Sequence, residues 1–276
     1  MLSTRDIQRK IRTVRNIQQI CRAMKTVSSI KLRKAEERIL AAQPYAQALR
    51  GMVLRLGGAD YTHPLLEVRD EVRKTGIVAI SADKGLAGSY NANLIREATN
   101  LVRRSGNTVT FPLGRKVADA FRREKFPVDT ILSPLGPSPE FRTIAALADH
   151  IGAMYGRGEL DRVELVYSAY SSRVTVEQLL PILPPAEEEP IGSFIYEPSE
   201  GAVLEQILPR YLRIVLYTAV LSAIAAEHAA RVAAMSLATE NANDLINRLT
   251  MDYNKSRQAG ITNELTDIVG AAEALR

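Results

Sequence analysis

No proline interrupts the 67 residues from Arg210 to Arg276, and only two glycines, Gly260 and Gly270, fall among them. Ala, Leu and Ile dominate the stretch, so it can run as one helix. At about 1.5 Å per residue such a rod approaches roughly 100 Å, whereas ordinary globular helices have only about 11 to 12 residues. A helix of that length cannot be buried in one compact core and needs partners along its length. The first 43 residues, Met1 to Gln43, also lack Pro and Gly and carry a helical apolar pattern. Two long helices at opposite ends of the chain, with a mixed segment between them, predict a coiled-coil shaft with a folded domain inserted into it.

The helical stripe of the first segment is read from Ile7, Ile11, Val14, Ile17, Ile20, Met24 and Val27, in steps of three and four. Arg and Lys crowd the other face. Ser3 and Asp6 suit its start, Leu32, Ala35, Ile39 and Ala42 continue it, Pro44 kinks it without stopping it, and Gly57-Gly58 ends it. Between the shaft helices the pattern alternates. Gly76–Ile80 predicts a buried strand, followed by a glycine-bearing turn, SADKGLAGSYNAN, and a helix from Asn91 to Arg104. Thr108–Phe111 predicts a strand, Arg115–Lys125 a helix, Val128–Leu132 a third strand and Glu140–Tyr155 a helix. Val163–Tyr170 and Val174–Leu179 predict further strands. This alternation implies a small parallel or mixed sheet with helices packed on it. The acidic, proline-rich LPILPPAEEEPIGS then returns the chain to the shaft, whose last helix begins near Ser199 with Glu200 in its first turn. The expected organisation is residues 1–58 as the N-terminal coiled-coil helix, 59–198 as the α/β domain and 199–276 as the C-terminal coiled-coil helix.

Charge is uneven. Residues 1–58 hold 13 Lys and Arg against 3 Asp and Glu, while residues 205–276 hold 7 against 8. Helices so different in charge pair better with each other than with copies of themselves, and the basic end calls for an acidic partner. Nucleic acid is one such partner, so a basic coiled-coil nucleic-acid-binding protein is the alternative reading. The absence of Trp and an aromatic content of only 5% argue against base stacking. Cys21 is the only cysteine, which excludes an intrachain disulfide and a multi-cysteine zinc site; its place in an apolar row suits a small core residue. The N-terminus lacks a signal peptide's apolar region. The longest uncharged run, Ile214–Ala226, is 13 residues, short of the ~20 that span a bilayer. The chain is therefore expected to be soluble by itself, with no transmembrane segment.

The turn SADKGLAGSYN follows a strand and precedes a helix, the position of many ligand loops. Its glycines, Gly85 and Gly88, lack both G-x-G-x-x-G and the G-x-x-x-x-G-K-[ST] phosphate cradle, so it reads as a strand-to-helix turn. Asp83 and Lys84 in it need no chemical role. His63, His150 and His228 are scattered without metal-ligand spacing. No catalytic, cofactor-binding or metal-binding residue is singled out, and a small nucleotide-binding α/β enzyme with helical arms is disfavoured.

Three stretches resemble the γ subunit of F-type ATP synthases. IRTVRNIQQICRAMKTVSSIKLRKAEERILAAQPYA is similar to that family's opening helix. SADKGLAGSYNANLIRE is similar to its S-[TS]-D-[RK]-G-L-[CA]-G turn. AAEHAARVAAMSLATENANDLINRLTMDYNKSRQAGITNELTDIVGAAEAL resembles its terminal signature. Ala87 stands where Cys is commoner, and Gly260 where Ala or Ser is. The resemblance implies a long antiparallel coiled coil of the two terminal helices with an inserted Rossmann-like α/β domain. It implies a central rotary stalk, turning inside a ring of three α and three β subunits and coupling proton flow through the c ring to ATP synthesis or hydrolysis at β. The chain would be a non-catalytic subunit without cofactor, peripheral on the cytoplasmic face of a bacterial cell membrane, with α, β, ε and the c ring as partners. By the same resemblance Met24 and Lys25 face a β-subunit loop, Arg257 and Gln258 grip another, and Thr262 and Glu264 follow them. Tyr196 and Glu197 lie at the foot near the c ring and ε. The two-cysteine insertion of chloroplast members is absent, which implies a short, bacterial-type form without thiol control.

Overall fold

The computed structural model describes residues 4–56, 63–169, 173–183, 197 and 199–274. Two helices dominate: α1 (Thr4–Leu56), with Asp6 in its first turn, and at the other end of the chain a helix of 75 residues, Glu200–Ala274. Each carries one proline, Pro44 and Pro209 respectively, and each continues past it. Between them lie β1 (Thr75–Ile80), α2 (Tyr90–Arg104), β2 (Thr108–Leu113), α3 (Arg115–Arg123), α4 (Phe141–Gly156), β3 (Arg162–Ser168) and β4 (Val174–Leu180), which makes the last helix α5. The chain divides into two compact units, one of residues 1–28 with 232–276 and one of residues 29–231. The boundaries expected at 58/59 and 198/199 fall at residues outside, or next to, those described.

In the larger unit the sheet order is β2-β1-β3-β4. β1 lies parallel to β2 and β3, while β4 returns antiparallel along β3. Every residue of β1 is buried, the mark of a strand covered on both faces. The pleat divides its side chains. Val78 and Ile80 join Ile144, Leu147 and Ile151 of α4, Leu204, Leu208 and Leu216 of α5, and Leu49 and Val53 of α1 in one cluster. Ile77 and Ala79 join Leu94 and Leu101 of α2 and Val117 and Phe121 of α3 in another. The result is a helix–sheet–helix sandwich in which both long helices contribute to one layer.

The strand expected over Val128–Leu132 is not a ladder strand. It meets β2 only at two isolated bridges, Thr110 to Val128 and Leu113 to Leu132. The cause lies in β2 itself: Pro112 accepts from the Leu132 N–H but has no N–H to return, so the pairing cannot propagate.

In the smaller unit Ile7 and Ile11 of α1 cluster with Ile246 of α5, flanked by Val14, Leu249 and Tyr253. Further along, Lys25 Nζ donates to Ser236 Oγ at 3.0 Å. Numbers that rise along one helix as they fall along the other make the pair antiparallel. The buried positions of α1, Ile7, Ile11, Gln18, Cys21 and Ser28, with half-buried Val14 and Met24, advance in steps of four and three. On α5, Met235, Ala242 and Ile246 are buried, and half-buried Leu249 and Tyr253 follow. A repeat of 3.5 residues is that of a left-handed coiled coil. This corrects the stripe expected from the sequence. Beyond Val14 the seam keeps half-buried Met24 of the expected stripe but takes Gln18, Cys21 and Ser28, and leaves Ile17, Ile20 and Val27 half or more exposed. The physical reason is that helix pairing follows the 3.5 repeat, whereas the run of Ile and Val slides onto the neighbouring row.

α5 also contains a stretch that is long and apolar enough, with a mean hydropathy of 1.4, to cross a membrane by composition alone. Val220, Leu221 and Ala223 to Ala226 of this stretch are buried within the protein, so it serves as a core helix here.

Candidate functional site

The residues singled out from the sequence occupy two levels of the smaller unit. Met24 is half-buried and Lys25 exposed, with Lys25 anchored to α5 through Ser236. Arg257, Gln258 and Thr262 are exposed on α5, beginning 21 residues beyond Ser236, which is about 30 Å along a helix. The structure therefore does not bring the two groups together. The Thr262 hydroxyl donates to the Gln258 carbonyl at 3.0 Å, and the Thr266 hydroxyl to the Thr262 carbonyl at 2.8 Å. Both are turned onto their own helix. The Glu264 side chain and Tyr196 lie outside the described residues; Glu197 is exposed.

What distinguishes the upper level is its apolar surface. Ile261, Leu265 and Ile268 are 47%, 58% and 65% exposed. At helical steps of four and three they form one stripe, and Arg257 and Gln258 lie on the same sector about a turn earlier. A stripe of large aliphatic residues with a guanidinium and an amide at its foot suits a partner that offers an apolar collar and a hydrogen-bonding loop. Together with exposed Ile17, Ile20 and Leu237, it gives the smaller unit apolar surface that none of the described residues covers.

In the larger unit the turn after β1 is more constrained than its sequence suggests. Leu86 sits in the left-handed region at φ 61, an unusual conformation for a branched residue. The turn is held from both sides. Asn91 Oδ1 accepts from the Ala82 N–H while its Nδ2 donates to the Lys84 carbonyl, and Arg231 donates to the Gly85 carbonyl at 3.2 and 3.3 Å. Arg231 also pairs with Glu227 at 2.6 Å, both side chains being buried or nearly so. Tyr90 Oη donates to the Ala223 carbonyl. Asp83 accepts from the Arg115 N–H at the start of α3 and from the Gly136 N–H. Sequence reading missed these roles, because Arg231 and Gly85 are 146 positions apart and no local spacing links them.

At the opposite end of the sheet Arg69 donates to the Leu160 and Tyr155 carbonyls and to Asp161. The Asp161 carboxylate also accepts from the Arg73 and Lys74 N–H groups. These bonds hold the Asp161 carboxyl below its usual range, the Arg69 contact being the largest influence. They fasten the chain before β1 to the end of α4.

A family model described as ATP synthase matches residues 3–275. ATP synthase gamma chains of Moorella thermoacetica, Heliobacterium modesticaldum and Pelotomaculum thermopropionicum are 45%, 40% and 41% identical to this chain, each comparison covering 100% of both sequences. Among solved structures, a chain of the Euglena gracilis mitochondrial ATP synthase (OSCP/F1/c-ring, rotational state 3) superposes with a TM-score of 0.72 at 21% identity, covering 99% of this chain and 94% of that one. A chain of the central stalk and c-ring of the Tetrahymena thermophila mitochondrial ATP synthase superposes at 0.58 and 24% identity, covering 79% and 99%. At those identities the superpositions speak for the fold, while the full-length relatives speak for kinship. By descent and by architecture, this chain belongs to the family of ATP synthase gamma chains.

Proposed function

We propose that the chain is the central rotary stalk of an F-type ATP synthase, a membrane-associated complex. The observation that carries the reading is the stripe Ile261–Leu265–Ile268 above Arg257 and Gln258, on a two-helix coil otherwise closed by a 3.5-residue seam. Such a tip is built to turn against a surrounding apolar collar. The surrounding ring is α3β3. Its catalytic β subunits pass in turn through different nucleotide affinities as the asymmetric shaft rotates, and proton flow through the c ring drives the rotation in the synthetic direction.

In this reading Arg257 and Gln258 reach a β loop, with Thr262 and Glu264 following them. Met24 and Lys25 meet β at the lower level from a side chain already anchored to Ser236. Tyr196 and Glu197 contact the c ring and ε at the foot, on the cytoplasmic face of the membrane. Residues 1–58, 59–198 and 199–276 act as shaft, foot and shaft. The nucleotide chemistry belongs to β. The basic surface of α1 serves an acidic protein partner; the comparisons lend nothing to a nucleic-acid role.

The test is reconstitution. Mixed with the α and β subunits of a close relative, the full chain should assemble and confer ATP hydrolysis accompanied by rotation of a bead attached to the foot. Assembly without rotation, or binding of the chain to duplex DNA with a steep salt dependence and none to α and β, would overturn the reading.

A further inference from the structure

A cleft of about 210 Å³ in the larger unit is lined by Lys31, Lys84, Arg115, Arg231, Asp83, Glu227 and His228, with Pro134, Gly136 and Pro137 closing it. Four cations face two carboxylates, and the carboxylates are already engaged. Glu227 is paired with Arg231 at 2.6 Å. Asp83 holds the backbone N–H groups of Arg115 and Gly136, one on each oxygen. Among the described residues, no carboxylate lies within ion-pair distance of Lys31, Lys84 or Arg115. The cleft is thus electropositive, and its volume is far above the ~10–15 Å³ that one water requires.

The floor supplies an independent signal. His228 is only 5% exposed, and its Nδ1 stands 3.1 Å from Arg231 Nη1. A guanidinium can only donate, so Nδ1 accepts and the imidazole proton sits on Nε2. Burial first, then the Arg231 and Lys31 charges, push the His228 pKa down to about 4, so the ring is neutral at physiological pH with Nε2 as a donor. That buried Nε2 has no partner. Buried donors in native proteins are paired, and here the residue that carries the unpaired one lines a cleft bordered by cations.

We propose that the cleft binds a small tetrahedral oxyanion, inorganic phosphate or the phosphoryl end of a nucleotide, with Lys31, Lys84 and Arg115 as counter-charges and His228 Nε2–H as the neutral donor at its floor. Three flexible cations and one fixed N–H can meet several oxygens of one anion at once. The proposal does not depend on the stalk reading, since every group involved belongs to this chain.

The chain has three histidines, so the full-length protein with 15N-labelled histidine gives a spectrum simple enough to follow His228 alone. Sodium phosphate, ADP and a poly-glutamate peptide are titrated separately at constant ionic strength. Phosphate should move the His228 Nε2–H resonance with a dissociation constant on the order of 1 mM or tighter. The double variant Lys84→Ala, Arg115→Ala, altered only at exposed side chains, should keep its circular dichroism and bind about tenfold more weakly or worse. Tighter binding by ADP than by phosphate, with the same loss in the variant, identifies a nucleotide phosphoryl group as the source. A resonance unmoved by phosphate and ADP up to about 20 mM, equal affinity in the variant, or a response to poly-glutamate alone would overturn the assignment.

Discussion

Arg257 and Gln258 are exposed helix positions, and the long α5 needs neither for its own stability. Replacing both with Ala should therefore leave helicity unchanged, while the reconstituted complex with α and β should lose the charge-assisted hydrogen bond proposed to a β loop. About 1.5 kcal/mol lost in one rotary state corresponds to roughly a tenfold fall in ATP hydrolysis, measured by steady-state turnover; unchanged turnover would return both residues to a merely solvated face. His228 makes a prediction of a different kind. Its folded pKa of about 4 lies below the ordinary 6.5, so between those values the unfolded chain binds more protons than the folded one. Stability is then fully present above pH 6.5 and falls as the pH drops toward 4. The loss is on the order of 2 kcal/mol after allowance for solvent screening. Burial disfavours its protonation most, and the Arg231 and Lys31 charges oppose it further, while Glu227 and Asp83 line the same cleft. In urea titrations across that range, His228→Gln should flatten the slope.

Among the elements, the two long helices were legible because proline and glycine are scarce where a rod must not break, and the strands because β1 carries a continuous apolar run and β3 sets Val163, Leu165 and Val166 among polar residues. Pro44 and Pro209 stop neither helix, as the resumed apolar pattern after Pro44 had suggested. The seam beyond Val14 was legible only in part: Cys21 and Met24 were expected on the apolar side, but Gln18 and Ser28 look like surface residues, and only the partner helix decides that they face inward. The 128–132 strand was misread because the pattern of that segment is sound and the fault lies in Pro112 of its neighbour. The clamp from α5 to the β1–α2 turn was invisible for a related reason, since its partners meet only after folding. It nevertheless carries a large consequence. Arg231→Met leaves Glu227 buried without its partner and should cost about 3–5 kcal/mol in unfolding free energy, whereas changing both residues to Met should recover most of it. Denaturant midpoints of the single and double variants decide between the two outcomes.

For the molecule as a whole, the stalk reading gives other chains the task of covering the apolar rows of the smaller unit, and that can be tested directly. Ile261→Ser, Leu265→Ser and Ile268→Ser together should leave the thermal midpoint of the isolated chain within a degree or so, because these side chains are mostly in water already. The same triple variant should bind α and β more weakly by tenfold or more, since each aliphatic group buried in a collar contributes about 1.5 kcal/mol or more. Size-exclusion profiles of the mixed subunits report the difference. A triple variant that assembles as well as the parent would mean that the stripe meets no collar.

The burial of Cys21 has a practical corollary. The only thiol in the chain is sealed in the seam at 8% exposure, where alkylating reagents reach it slowly. The natural protein therefore behaves toward maleimides as a nearly thiol-free background. A single cysteine introduced at Leu237, 59% exposed on α5, would take up a fluorophore or spin label almost alone, so the angular position of the shaft could be followed with no other change to the sequence.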